Sequence, residues 1–196
     1  SRFISPALSQ TAVSRVKATC AAEGTTTFMF YLAALQTALY GLLGQDDFVV
    51  GTPVSGRTHE DVEPMVGLFV NAVSVRNVVS AASSFRQVLR DIRAKTLAVF
   101  ANQDLPFDRM VDELDMPRVI GQTPVFQCLF ALQDDSSNTF ASSWLSQAPG
   151  SWMPSVAQYN LESGVTVKED ETYLEFRFKN TDPDFVDALC SFMTRV

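Results

Sequence analysis

Apolar and polar positions divide the chain into alternating helical and extended stretches. Phe28, Leu32, Leu35, Leu39 and Leu42 fall at steps of four, three, four and three, the stripe of an α-helix. Met29, Phe30, Tyr31 and Ala34 widen that stripe, which predicts burial on more than one side. Thr25-Thr26-Thr27 offers its N-caps. Ser9 to Glu23 carries a looser face of Ala12, Val13, Val16, Ala18 and Cys20, and Gly24 is its stop. A third helix starts at Ser83 or Ser84, with Phe85, Val88, Leu89, Ile92, Thr96 and Val99 turned inward. Pro106 fits the first turn of a short helix bearing Phe107, Met110, Val111 and Leu114. Asp184 to Val196 reads as a last helix with Phe185, Leu189, Phe192 and Met193.

Between the helices the period changes. Gly44 to Asp47 is a turn, and Phe48 to Val54 a buried strand with Pro53 at its end or at a bulge. Gly56 to Pro64 is a polar connection, followed by a second apolar strand from Gly67 to Val75. Val125 to Leu132 is apolar on both faces, which predicts a central strand. Val165 and Val167 lead into the acidic turn Lys168-Glu169-Asp170-Glu171. Beyond it, Leu174, Phe176 and Phe178 alternate with Tyr173, Glu175, Arg177 and Lys179, the pattern of a half-buried antiparallel hairpin. Asp134 to Ser155, rich in Ser and holding Trp144 and Trp152, lacks periodicity and reads as a long loop or crossing segment, its tryptophans anchoring it or lining a channel. The fold class is α/β, helices packed on a sheet.

With 196 residues the chain can build one domain with a real core. A net charge of −7 argues against nucleic-acid binding, which needs basic groups to neutralise phosphates, and it repels anionic lipid. No apolar run reaches the length of a membrane span, and Ser1 to Pro6 has no signal-peptide pattern. The sequence does not begin with Met, the expected sign of a piece cut from something longer. Cys20, Cys128 and Cys190 are odd in number, far apart and set among apolar residues. Reduced, buried thiols and a cytoplasmic location follow.

His59 is the only histidine. It lies in a charged connection beside Glu60 and Asp61, which cannot aim an adjacent ring well, so an exposed loop histidine is expected. There is no Gly-x-Ser-x-Gly elbow and no glycine-rich phosphate loop. Two stretches resist explanation as plain core. In Gly51-Thr52-Pro53-Val54-Ser55-Gly56-Arg57, small residues let backbone approach something closely, and the Arg suggests a planar carboxylate partner. In Val66-Gly67-Leu68-Phe69-Val70-Asn71, an Asn in an apolar strand must have its amide satisfied by backbone, by water or by a ligand.

Together these stretches resemble the condensation domains of nonribosomal peptide synthetases. Val66 to Ala72 with Arg76 is similar to the family's Gly-x-Phe-Val-Asn-Thr…Arg motif. Asn102-Gln103-Asp104-Leu105-Pro106-Phe107-Asp108 is similar to its His/Asn-Gln-Asp-Tyr/Leu-Pro-Phe-Glu motif. Thr123 to Gln127 resembles the end of Arg-Asp-x-Ser-Arg-Asn-Pro-Leu-Phe. Ala72 replaces the usual Thr, Met116 to Gln122 is degenerate, and the His-His-x-x-x-Asp-Gly motif has no counterpart.

The resemblance implies a chloramphenicol acetyltransferase-like sandwich, a mixed sheet with helices packed on it. It further implies that residues 1–196 form the C-terminal subdomain of a condensation domain whose N-terminal subdomain is absent. No cofactor is bound directly; donor and acceptor carrier proteins deliver thioesters on phosphopantetheine arms, and an adenylation domain belongs to the parent chain. The amine attacks the donor thioester to give an amide. This chain supplies one wall of the tunnel and no catalytic residue, so it is inactive alone. Ser55 and Asn71 are expected to bind substrate, with backbone satisfaction of Asn71 left open, and Arg57 to support the site by pairing with the Asp of the missing motif. Two other readings are a catalytically dead module that recruits a carrier protein or tailoring enzyme, and a free-standing acyltransferase using coenzyme A, which the missing motif disfavours. An exposed apolar face is expected where the other half docks.

Overall fold

The computed structural model of the protein describes residues 2–4, 6–116, 119–134, 157–168 and 171–195. The expected loop beyond Asp134, with Trp144 and Trp152, lies outside the described residues, as do Pro117, Arg118, Glu169 and Asp170.

Capping chemistry sets the helices where the apolar stripes ask for them. Helix α1 (Gln10–Glu23) and helix α2 (Thr27–Leu43) follow β1 (Arg2–Ile4). The Ser9 hydroxyl accepts the Ala12 N–H, and that of Thr26 accepts the Met29 N–H, both at 3.2 Å. Each satisfies a donor that the first helical turn leaves orphaned. Gly24 and Gly44 end the two helices in the left-handed conformation. Helix α2 is buried on all sides from Met29 to Gln36, as its widened stripe predicts.

The remaining elements are β2 (Asp47–Val54), a single 3₁₀ turn (Glu60–Val62), β3 (Asn71–Val78), α3 (Phe85–Phe100), α4 (Phe107–Glu113), β4 (Cys128–Asp134), β5 (Leu161–Lys168), β6 (Glu171–Phe178) and α5 (Pro183–Thr194). Among the described residues the strands build one six-stranded sheet in the order β1-β6-β5-β4-β2-β3. β4 runs parallel to both neighbours, and the other pairs are antiparallel. Its central position matches its apolarity on both faces. The core joins Leu32 and Leu35 of α2, Leu89 and Ile92 of α3 and Leu189 of α5 to Val75, Phe130, Val165, Leu174 and Phe176 of the sheet. Full burial of each such side chain contributes roughly 1.5–3 kcal/mol. No single helix among the described residues is long and apolar enough to cross a membrane.

Three expectations need correction. The strand expected over Gly67–Val75 begins only at Asn71, because the ladder with β2 runs from Val54↔Asn71 to Asp47↔Val78 and leaves residues 66–70 without a strand partner among the described residues. The strand expected from Val125 begins at Cys128; Val125 has φ 72, which turns the chain out of the sheet. The β5–β6 hairpin is antiparallel as expected but not half-buried: Glu162, Thr166, Glu175 and Arg177, on the face opposite the apolar core, are all buried.

On that same outer face, a cluster of three aromatic rings explains Gly51. Phe126 stands against T-shaped Phe107 (centroids 5.3 Å apart) and stacked Tyr159 (5.4 Å). A Cβ on Gly51 would lie 2.1 Å from the Phe126 ring. The small residue expected to admit a close approach admits this buried aromatic.

Candidate functional site

β2 ends at Val54 and β3 begins beside it at Asn71, so Ser55 to Val70 is one excursion from the end of the sheet. It collects Ser55, Arg57 and Phe69, and Asn71 stands where it re-enters the sheet. Ser55 is exposed, and its hydroxyl accepts the Arg57 N–H at 3.3 Å. Gly56 has φ 64, and a Cβ there would fall 1.8 Å from the Phe69 carbonyl oxygen. Only glycine meets both conditions.

Arg57 folds back on its own loop. Its guanidinium donates to the carbonyls of Val62 and Glu63, the latter at 3.1 Å, and lies 4.5 Å from the centroid of the Phe69 ring. Planarity and weak hydration suit Arg to this stacking.

Backbone satisfies Asn71. Its amide nitrogen donates to the carbonyls of Gln103 (2.9 Å) and Leu105 (2.7 Å), and its oxygen accepts the Phe107 N–H (3.1 Å). Phe107 opens α4, whose N-cap Pro106 makes no side-chain bond, so Asn71 caps that helix from another element. Two motifs distant in sequence are thereby tied by one carboxamide. Thr58 and Asp104 approach to 3.5 Å across the same junction. Between them, Gly56, Phe69, Val70, Asn71, Gln103, Asp104 and Pro106 line a hollow of about 270 Å³.

His59 caps the 3₁₀ turn and is 72% exposed at its side chain; its Nδ1 lies 3.3 Å from both the N–H and a carboxylate oxygen of Asp61. Neutral, the ring accepts the N–H; protonated, it pairs with the carboxylate. Either way it faces solvent and is not enclosed. The apolar residues around the excursion face outward too. Val66 is 103% exposed and Leu68 92%, with Met65, Val70 and Leu105 more than half exposed.

A second cavity of about 860 Å³ lies at the opposite end of β2, walled by Leu39, Phe48, Phe126, Cys128 and Phe185 among others and rimmed by Asp47 and Arg76. Arg76 donates to both Asp47 oxygens, at 2.9 and 2.6 Å, so the motif's arginine closes an ion pair away from the excursion. Burial pushes the Cys128 thiol up to about 12, so it stays protonated at neutral pH and is no nucleophile. The Arg76 bonds hold the Asp47 carboxyl below its usual range, against an opposing effect of burial and with help from the charges of Arg76 and Lys95. A lowered value means the pair's contribution is present above the ordinary carboxylate pKa of about 3.9 and fades as pH falls through the folded value. Carboxyl-carbon NMR titration should find Asp47 titrating low and moving back up in Arg76→Gln; an unmoved midpoint would refute the pairing in solution.

Sequence reasoning missed Phe69 as a platform and the carbonyls of Val62 and Glu63 as partners for Arg57; no local signal marks either. The Gly-Arg pair after a strand end was the nearest clue.

Known proteins place this arrangement in a family. A family model described as a condensation domain matches residues 3–195. Tyrocidine synthase 3 of Brevibacillus parabrevis is 34% identical over 149 residues, 76% of this chain and 2% of that protein. Tyrocidine synthase 2 of the same organism is 34% identical over 173 residues, 87% of this chain and 5% of that protein. Among solved structures, the X-domain from teicoplanin biosynthesis superposes with a TM-score of 0.82 at 20% identity, covering 99% of this chain and 46% of the other. A four-domain nonribosomal peptide synthetase bound to AMP and glycine gives 0.82 at 15% identity, covering 99% and 16%. The chain spans less than half the length of each of these. The solved structures share its mixed sheet and chloramphenicol acetyltransferase-like layering, and the family-model match over residues 3–195 shows that the chain belongs to the condensation-domain family of nonribosomal peptide synthetases.

Proposed function

We propose that the chain is the C-terminal subdomain of an amide-forming condensation domain and completes an active site whose proton-handling histidine lies in an N-terminal subdomain. The observation that carries this reading is the apolar band around the Ser55–Val70 excursion. Val66 and Leu68 are as exposed as in an extended peptide, while Asn71 and Gly56 anchor the chain beside them. Exposed apolar surface next to an ordered polar cluster marks a face built to be covered. The N-terminal subdomain is the partner assigned to it.

In that reading, donor and acceptor carrier proteins bring thioesters on phosphopantetheine arms to the junction, and the acceptor amine attacks the donor carbonyl. The thiolate leaves and the amine's proton passes to a base outside this chain. Ser55, exposed at the mouth of the excursion, contacts substrate. Asn71 has committed both amide hydrogens to backbone, so only its oxygen has capacity left for a ligand. Arg57 presents a cation toward the buried carboxylate of the partner's His-His-x-x-x-Asp-Gly motif, which would otherwise carry a desolvation cost of several kcal/mol. In this reading an adenylation domain belongs to the same parent chain. Three free thiols support a reducing, cytoplasmic setting.

Reconstitution tests this. The chain, incubated with loaded donor and acceptor carrier proteins, should form no amide; adding the parent's N-terminal half should restore amide formation, read by mass spectrometry of the carrier-bound product. Amide formed by the chain alone would overturn the reading. The degenerate Met116 to Gln122 stretch favours a second reading, a recruiting module without catalysis. That reading predicts that the two halves associate but form no amide, and that the upstream motif is itself ruined.

A further inference from the structure

We infer that Asn71 is a positioning residue for Arg57, acting through Phe69; the inference rests on the role proposed above for Arg57. Among the described residues the guanidinium has three attachments. Two are carbonyls of its own loop, Val62 and Glu63, and these travel with the loop. The third, the Phe69 ring at 4.5 Å, comes from the returning arm of the excursion, next to the start of β3. Where the ring stands therefore decides where the loop presents its charge.

Phe69 itself sits in a segment with no strand partner among the described residues, between the exposed Leu68 and Val70. Its carbonyl is packed on Gly56, which sets the distance between the two chains but does not tie them. The tie is two residues on. Asn71 spends its carboxamide on Gln103, Leu105 and Phe107, at the point where the chain enters the sheet opposite Val54. This bonding is directional at three points and fixes the residue in rotation as well as in place. The chain of dependence is Phe107 and its loop, Asn71, Phe69, Arg57. Cutting it at Asn71 frees residues 66–70 to fray, and the ring no longer holds the guanidinium. A displacement of about 1 Å in a group that orients reacting partners can cost on the order of 100-fold in rate.

The test has a structural arm and a kinetic arm. In the chain itself, the Arg57 Nε–H proton should resonate upfield of an exposed arginine, because it lies over an aromatic face. Asn71→Ala and Phe69→Leu should each abolish that shift. The Arg76 Nε–H, held by Asp47 at the far end of β2, should stay where it is and report an intact sheet. If Asn71→Ala does not fold, Asn71→Asp serves, since it keeps an acceptor for Phe107 N–H and loses both donors. An Arg57 shift retained in a folded Asn71 variant overturns the inference.

In the reconstituted domain, Arg57→Ala and Asn71→Ala should each lower kcat by about 10- to 100-fold, with KM nearly unchanged. The double variant should be no slower than Arg57→Ala alone. Rate losses that multiply would show Asn71 acting independently of Arg57 and overturn the inference. If Arg57→Ala leaves kcat intact, the role assigned to Arg57 falls, while the resonance arm still judges whether Asn71 sets its position.

Discussion

Arg177→Leu should destabilise the fold by about 3–5 kcal/mol, the cost of leaving a buried charge without its counter-ion. Arg177 is 5% exposed and Glu162 3%; they stand opposite each other on β6 and β5, with nitrogen and oxygen 3.7 Å apart. Glu162 also accepts the N–H groups of Gln158 and Tyr159, so its carboxylate fastens the entry to β5 as well as the neighbouring strand. A neutral side chain at 177 leaves that carboxylate charged in a dry setting. Glu162→Gln keeps an acceptor for both N–H groups, so adding it to Arg177→Leu should recover part of the loss. Urea denaturation of the two variants measures this. A single variant within about 0.5 kcal/mol of the parent protein would mean the charges are far better solvated than their burial implies. Arg76→Leu is the natural control, because an exposed pair is screened and contributes little.

Gly56→Ala should cost about 2–5 kcal/mol, through two additive faults. A left-handed backbone at φ 64 costs an ordinary L-residue roughly 1–2 kcal/mol. The new methyl must also displace the Phe69 carbonyl, 1.8 Å from where it would sit, and overpacking of this kind typically costs a further 1–3 kcal/mol. The obstacle is backbone, so no rotamer change relieves it. The expected result is a lowered urea midpoint together with loss of Phe69 stacking on Arg57. Stability matching the parent protein would show that the excursion yields without strain.

How far the sequence reveals this molecule follows from the kind of information each part needs. Ser9, Thr26, Ser84, Gly24 and Gly44 act on backbone groups within a turn of themselves, so the helices are legible from local order. The strip Val66 to Val70 reads as strand only if apolarity means core; these residues are apolar yet outside, and the register with β2 shows where pairing stops. The alternation along β6 is plain in the sequence, but Glu175 and Arg177 in a buried polar layer give the same string of letters as residues facing water. β1 pairs with β6 at the far end of the chain, and nothing local announces it. At the site, the Gly-Arg step and the Asn are visible as oddities. Their partners are main-chain carbonyls of Gln103, Leu105, Val62 and Glu63, and a carbonyl has no sequence identity to read.

The pairing of the first strand with the sixth has a consequence for how the polypeptide matures. Arg2 to Ile4 align with Phe176 to Phe178, so at roughly 5–20 residues per second on the ribosome this segment waits for roughly 9–35 seconds before its partner emerges. During that interval its backbone N–H and C=O groups lack their native strand partner and are open to pairing with other chains. Translation speed, or a chaperone that shields that stretch, would then set the yield of native protein without altering the stability of the finished fold.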